Sequence, residues 1–475
     1  MEDIPHLTSS LANFGVKFGT SGARGLVSDL TADYCRTFTA AFLGILEPGP
    51  KQLLVGHDLR ASSPAIAANC IAAAEAAGVA CVYGGALPTP ALALAALEQK
   101  CPAIMVTGSH IPADRNGIKA YRPDGEITKL DEQAMLRFEA ELPPVHSVPA
   151  LPAAMTAITH RYADRYVQAF AADALAGLRI GVYEHSTVMR DLLHEVLRAL
   201  GAETTGLGRS ETFLPVDTEA VRPEDQRLAA TWAARQQFDA IVSADGDADR
   251  PLVADEHGQW LRGDVLGVLS ARELGARTVV TPVSSNTAVE KCGIFAHTVR
   301  TRIGSPFVIA AMSQPGLRAP VVGYEANGGF LLGSGVTIGS RKLAALPTRD
   351  ALLPIILVLA AARQRGCSMS DLVRGLPPRF TASDRLQNYA SGRAQALIEE
   401  LMADPAKTCS AMAPEAGKIA AIDHTDGYRV TFASGGIVHL RPSGNAPELR
   451  CYAEADTPEG AATLCRTCLT RIALS

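Results

Sequence analysis

The chain has 475 residues, a formal net charge of −5, and 47% hydrophobic against 20% charged residues. That length allows about two to four domains with substantial cores, and the balance is that of an ordinary globular protein rather than a disordered one. The small negative charge, without any Lys/Arg run, excludes the electrostatic footprint of a nucleic-acid binder or a membrane-surface protein.

The first third alternates strand and helix signals. Residues 52–58 (QLLVGHD) form a short apolar run ending in polar residues, and 63–77 an alanine-rich helix stopped by Gly78. A second strand is expected over 79–83, a second helix over 90–99, and a third strand over 103–106, opening onto T-G-S-H at 107–110. Strands alternating with helices imply a parallel sheet with right-handed crossovers, whose ligands sit beyond the carboxyl ends of the strands. The Pro-rich stretch 142–152 (LPPVHSVPALP) reads as a linker.

The pattern then recurs. A strand over 178–183, a helix over 188–200 and a strand over 238–244 lead into D-G-D-A-D-R at 245–250. A strand over 278–282, a helix over 287–292 and a strand over 298–302 begin a third unit. The apolar run 351–362 contains Pro354 and is too short to cross a bilayer, so it reads as a buried helix. The C-terminal part differs: 427–432 and 437–442 make a hairpin around Ser434-Gly435-Gly436, followed by a strand over 449–453. The organisation is three similar α/β units and a smaller α+β unit, with expected boundaries at 1–148, 149–255, 256–372 and 373–475.

Ten cysteines are scattered irregularly, often in apolar stretches (Cys70, Cys81, Cys101). That usage fits reduced thiols in a cytoplasmic protein. Cys465 and Cys468 form C-R-T-C inside a terminal helix with no strand–turn ahead, so no redox or zinc role is assigned to them. Residues 1–7 lack a basic segment followed by an apolar one, and no signal peptide is expected.

Two distant stretches gain meaning together. Asp245, Asp247 and Asp249 stand at alternate positions, so three carboxylates converge on one hard cation if the backbone turns tightly. Magnesium takes oxygen ligands and keeps positions open for phosphate. Ser109, beside His110, offers a hydroxyl able to carry a phosphoryl group; the bland alternative is a helix cap after a strand. A calcium loop of EF-hand type also has alternating aspartates, and Glu256 stands at its twelfth position. Its sixth position, however, would be Arg250 where glycine is needed, its seventh Pro251, and a strand rather than a helix precedes it.

Five segments line up in order: F-G-T-S-G-A-R-G at 18–25, T-G-S-H-I-P-A-D-R-N-G-I-K-A-Y at 107–121, D-G-D-A-D-R, G-Y-E-A-N-G-G at 323–329 and R-P-S-G-N-A-P-E-L-R at 441–450. Together they resemble the α-D-phosphohexomutases, the phosphomannomutase and phosphoglucomutase family, over nearly the whole chain. The resemblance implies three similar mixed-sheet α/β domains plus a C-terminal α+β domain around a central cleft. It implies that Ser109 is phosphorylated and gives its phosphoryl group to a sugar phosphate, forming a hexose 1,6-bisphosphate that turns over and returns the other phosphate.

The cation, Mg2+, is then shared by Ser109's phosphate, Asp245, Asp247 and Asp249, offsetting the charge that repels an incoming oxygen nucleophile. His110 and Lys119 are the proton-transfer candidates, Lys119 equally a phosphate counter-ion. Arg24 is expected at the same phosphate, since Gly22 and Gly25 allow close backbone approach, and Arg250 steadies the phosphoserine or an aspartate. Glu325 is expected to accept bonds from ring hydroxyls, with Asn327 where serine is usual in the family. Arg441, Ser443, Gly444, Asn445 and Arg450 resemble its phosphate-gripping loop, and Arg302 is a further cleft candidate. Asn445, Ala446 and Ile111 depart from the family's usual threonine, glutamate and asparagine, which touches fine specificity rather than the reaction.

Within the family the motifs look most like bacterial proteins described as phosphomannomutases. The expected reaction is interconversion of mannose 6-phosphate and mannose 1-phosphate, with glucose phosphates, alone or as second substrates, as the alternative. A phosphatase or an inactive binding relative remains a different class. Partners are expected to be small-molecule sugar phosphates, with no nucleic acid and no membrane, and the protein a monomer or homodimer activated by hexose 1,6-bisphosphate.

Overall fold

The computed structural model describes residues 7–19, 22–142, 150–443 and 447–474. The first unit is built on a sheet with parallel strands Ala80–Ala86, Gln52–His57 and Ala103–Val106. The Val, Leu and Ile side chains of the two inner strands, Gln52–His57 and Ala103–Val106, are buried on both faces, as parallel strands require, while Val82 of the edge strand is half-buried. The alternation of strand and helix predicts this parallel part but not what flanks it. Arg115–Arg122 returns antiparallel beside Ala103–Val106, and Ala23–Leu26 adds antiparallel to that.

The second and third units repeat the plan. Glu203–Leu207, Arg179–Tyr183 and Ala240–Ala244 run parallel and Pro251–Ala254 returns antiparallel. His297–Thr301, Thr278–Pro282 and Val321–Tyr324 run parallel, followed by antiparallel Phe330–Leu332 and Leu346–Asp350. In each unit one loop joins the last parallel strand to its antiparallel return: 107–114, 245–250 and 325–329. The fourth sheet is wholly antiparallel, and there 443–448 joins Ile437–Pro442 to Leu449–Ala455. Every one of these loops carries a candidate motif.

The apolar run at 351–362 is helix Leu352–Arg365, buried along most of its length. Pro354 sits in its first turn, where a missing N–H costs no helical bond. Asp350 accepts from the Leu352 and Leu353 amides, and Gly366 ends the helix in the left-handed region. Burying each Leu, Ile or Val here contributes roughly 1.5–3 kcal/mol. This helix and helix Ala157–Ala169, with Tyr162 and Tyr166, join one apolar core running through the first three units. The fourth unit has a core of its own, from Tyr389 to Ile472. It meets the third through polar contacts: Glu454 accepts from the Thr287 amide at 3.0 Å and its hydroxyl at 2.5 Å, and Asp426 from the Ile303 amide at 3.0 Å.

Of the expected linker at 142–152, Leu142 ends a strand paired with Leu7–Ser9, and 143–149 lie outside the described residues. No helix among the described residues is long and apolar enough to cross a membrane.

Candidate active site

Ser109 stands two residues into the turn after Thr107, with φ of +53°, a left-handed conformation uncommon for serine. Its amide donates to Thr107 Oγ1 at 2.8 Å, while Thr107 Oγ1 itself donates to buried Asp58 at 2.8 Å. The Ser109 hydroxyl donates to Asp245 Oδ2 at 2.5 Å, with His110 Nδ1 3.1 Å away. The loops of the first and second units therefore meet at the serine.

Asp245, Asp247 and Asp249 are fully buried, with one ligand atom from each within 4.8 Å of the others. Ala248, at φ +61°, makes the tight turn that alternate aspartates need. Lys119, on strand Arg115–Arg122, places Nζ 2.6 Å from Asp247 Oδ2 and 2.7 Å from Asp249 Oδ2. Arg349 Nη2 lies 2.7 Å from the same Asp249 oxygen, and the Thr89 hydroxyl donates to Asp247 Oδ2 at 2.6 Å. Burial raises the Asp245 carboxyl well above its ordinary range, and the charges of Asp247 and Asp249 add to that. Burial acts on Asp249 likewise, but Arg349, Lys119 and Arg250 outweigh it and hold that group well below the usual carboxylate range.

Asp247 Oδ1 and Asp249 Oδ1 are buried without a hydrogen-bond donor. Buried anionic oxygens without donors are costly, and a hard divalent cation is the partner this all-oxygen set suits. The calcium-loop alternative fails on geometry: the loop runs into strand Pro251–Ala254, and Glu256 accepts instead from the Ser370 hydroxyl at 2.5 Å and amide at 3.2 Å.

A cleft of about 1210 Å³ opens in front of this cluster and takes lining from all four units. Arg24, His110, Arg250 and Arg349 face it near the serine; Glu325 and Asn327 come from the third unit, Ser443 and Arg450 from the fourth. Arg24 has no carboxylate within ion-pair distance among the described residues. Burial first, then the charges of Arg250 and Arg349, lower its pKa to about 10. Such a crowd of guanidinium groups is stabilised by a bound dianion. Burial, reinforced by Arg250 and Arg24, also pushes His110 well below the ordinary histidine value, so its imidazole is neutral. Gly22 is required as glycine: at φ +75°, a Cβ would lie 2.5 Å from the Ile118 carbonyl oxygen.

Glu325 receives Arg349 Nη1 at 3.2 Å. Asn327 spends its side-chain oxygen on the Gly329 amide at 2.9 Å, and its carbonyl accepts from Thr218 at 2.6 Å, so it shapes the loop as well as lining the cleft. Arg450 lies 3.4 Å from Glu448. Arg441 pairs with Asp426 at 3.5 Å and does not line the cleft, while Gly444 and Asn445 lie outside the described residues. Arg302 is also outside the cleft: its side chain is 61% exposed, 3.9 Å from Asp426, stacked over Phe307, and the neighbouring Ile303 takes the lining position.

Four profiles described as phosphoglucomutase/phosphomannomutase match in chain order: alpha/beta/alpha domain I at 15–140, domain II at 160–258, domain III at 262–380 and the C-terminal domain at 395–468. The chain is 46% identical to a phosphomannomutase of Salmonella muenchen, covering 99% of this chain and 98% of that protein. The chain belongs to the phosphoglucomutase/phosphomannomutase family. A phosphomannomutase of Sinorhizobium fredii is also 46% identical, over 94% of this chain and 96% of its own length. A phosphoglucosamine mutase of Sodalis glossinidius is 29% identical, over 82% and 92%. In fold, the chain resembles a phosphoglucomutase/phosphomannomutase family protein of Burkholderia thailandensis, with TM-score 0.73, 22% identity and coverage of 96% and 97%.

Against the family's motifs, sequence reasoning missed Arg349, which ties the aspartate loop to the sugar loop, and Thr89, which ties the first unit to Asp247. Arg60 and Arg385 also escaped notice. Arg349 left one signal: an Arg-Asp pair at a strand end, immediately before a long apolar run.

Proposed function

We propose that this family member is a magnesium-dependent phosphomannomutase working through a phosphoserine at Ser109. The observation that carries it is the 2.5 Å contact of the Ser109 hydroxyl with a buried aspartate triad, next to His110, Arg24 and Arg250 of a cleft that is also lined by Ser443 and Arg450. Asp245, Asp247 and Asp249, with the serine's phosphate, would hold Mg2+. The ion supplies charge neutralisation during phosphoryl transfer.

Arg24 and Arg250 hold the transferring phosphoryl group as an anion among guanidiniums. Neutral His110 is the group proposed to take a proton from the attacking sugar hydroxyl, and Lys119, paired with Asp247 and Asp249, is proposed to return a proton or to serve as counter-ion to the phosphate. Arg450 and Ser443, with Gly444 and Asn445 of the same loop, grip the phosphate that is not transferred. Glu325 accepts from ring hydroxyls, and Asn327, whose side-chain oxygen is engaged by Gly329, contacts them by donating through its amide nitrogen. The sugar leaves Ser109 as the 1,6-bisphosphate, turns over, and returns its other phosphate; free hexose 1,6-bisphosphate keeps Ser109 charged and so activates.

Mannose is favoured because the relatives at 46% identity are phosphomannomutases whereas the phosphoglucosamine mutase stands at 29%. All ten cysteines are free thiols, which supports a cytoplasmic location. The deciding experiment is a coupled assay with mannose 1-phosphate and glucose 1-phosphate, with and without bisphosphate. Mannose 1-phosphate should be used with kcat/KM at least comparable to glucose 1-phosphate. A glucose preference above about a hundredfold, some 2.7 kcal/mol, overturns the mannose assignment and leaves the mutase standing.

A further inference from the structure

Behind Ser109 lies a buried guanidinium that touches none of the reacting groups. Arg60 is 2% exposed. Its Nε donates to Asp58 Oδ2 at 3.1 Å, Nη1 to the carbonyls of Pro112 at 2.7 Å and Arg115 at 2.9 Å, and Nη2 to those of Ser109 at 3.0 Å and Ile111 at 2.6 Å. Every N–H of the fork is used: three bind the loop that presents the serine, a fourth the first residue of the strand that follows it, and the fifth Asp58. A planar guanidinium can do this; a lysine ammonium has too few donors and the wrong geometry.

The plane is also capped. Phe213, from the second unit, stacks on it with its ring centre 4.0 Å from Cζ. Two motif glycines exist to let this layer close. At Gly108 a Cβ would lie 2.7 Å from the Arg60 Cζ, and at Gly246 it would lie 2.8 Å from the Ser109 carbonyl oxygen and 3.0 Å from the Phe213 ring. The glycine in T-G-S-H and the glycine in D-G-D-A-D-R therefore pack against one assembly.

We infer that Arg60 is a positioning residue for phosphoryl transfer: its fork holds Ser109 in the left-handed conformation that aims Oγ at Asp245, and Phe213 locks that aim to the unit carrying the aspartates. The inference rests on Ser109 being the phosphoryl carrier. Arg60 never meets the sugar, so its loss acts on the transfer step and not on the grip of Arg450 and Ser443.

The test mixes dephosphorylated enzyme with glucose 1,6-bisphosphate and follows phosphate on Ser109 by intact mass, alongside kcat and KM for mannose 1-phosphate and the melting temperature. Arg60→Lys should slow phosphorylation and lower kcat by about 100-fold, the cost of a reacting atom misplaced by about 1 Å. KM should stay within about threefold. In Arg60→Ala, added guanidinium ion should restore part of the rate, which no loss of folding would allow. Should the Arg60 variants not fold, Phe213→Leu keeps the fork and removes its cap; slower phosphorylation at unchanged KM supports the inference. An Arg60→Lys or Phe213→Leu enzyme that phosphorylates Ser109 at the wild-type rate overturns it. Wild type that never takes phosphate refutes the phosphoserine reading itself.

Discussion

Arg349 reaches Asp249 at 2.7 Å with one nitrogen and Glu325 at 3.2 Å with the other, so one buried guanidinium joins the loop proposed to hold metal to the loop proposed to hold sugar. Removing it leaves buried Glu325 without a cation among the described residues and takes from Asp249 one of the three cations around it, Lys119 and Arg250 remaining. Arg349→Met should therefore cost about 3–5 kcal/mol of stability in urea melts. Added magnesium should recover part of that loss, and more than it adds to wild type. Equal magnesium effects on both would show that Arg349 does not neutralise the aspartate loop.

Ser109→Ala removes the proposed covalent carrier. Mutase turnover should vanish while the melting temperature stays near wild type, and mass spectrometry should find one phosphate on a fraction of wild-type chains and none on the variant. Full activity in the variant ends the phosphoserine mechanism.

Chelation should abolish turnover and magnesium restore it. Asp247→Asn should weaken magnesium binding, read by calorimetry on the metal-free enzyme, because one anionic ligand is lost. Chelated enzyme working at full rate would remove the metal from the mechanism.

Arg450→Ala should raise KM for the sugar phosphate strongly by removing a charged grip on the distal phosphate. It should also lower kcat, because that grip orients the sugar for attack. Kinetics identical to wild type would put Arg450 outside the working site.

Two buried histidines should make the fold acid-sensitive. Burial lowers the pKa of His185 and of His439 to about 4, even though each ring holds a backbone carbonyl, that of Ala244 or Asp426. The unfolded chain takes up these protons near pH 6.5 and the folded chain only near 4, so stability is full above about 6.5 and falls between those values. At pH 5 each histidine should have cost roughly 2 kcal/mol relative to pH 7. Denaturant melts at both pH values, repeated on His185→Gln, measure this; an unchanged acid dependence in the variant would contradict it.

The motifs were legible because they combine residue types with spacing. D-G-D-A-D-R announces converging carboxylates, and T-G-S-H a hydroxyl at a strand end. The parallel strands were legible because both their faces are buried, which leaves continuous apolar runs. The antiparallel returns were not. Arg115–Arg122 reads as polar and irregular because it carries Lys119 and Asn116 inward toward buried polar partners. Arg60 and Arg349 were hidden for a related reason. Each is a single basic residue that takes part of its meaning from an acceptor far off in the chain, Ser109 at 49 positions from Arg60 and Asp249 at 100 positions from Arg349. Arg302 misled because its T-R-I-G-S-P setting looks like a cleft loop, while the turn sends Ile303 inward and leaves the arginine in solvent.

The separate core of the fourth unit bears on which part of the molecule lets go first. Its attachment to the third unit includes the Glu454–Thr287 and Asp426–Ile303 hydrogen bonds, each worth only about 1 kcal/mol net, against the continuous apolar mass that unites the other three. A sugar phosphate gripped by Arg450 on one side and Glu325 on the other would itself become part of that joint. Heating or mild denaturant should thus silence the enzyme at temperatures where its helices and sheets still report a folded protein, and saturating substrate should bring the two curves back together.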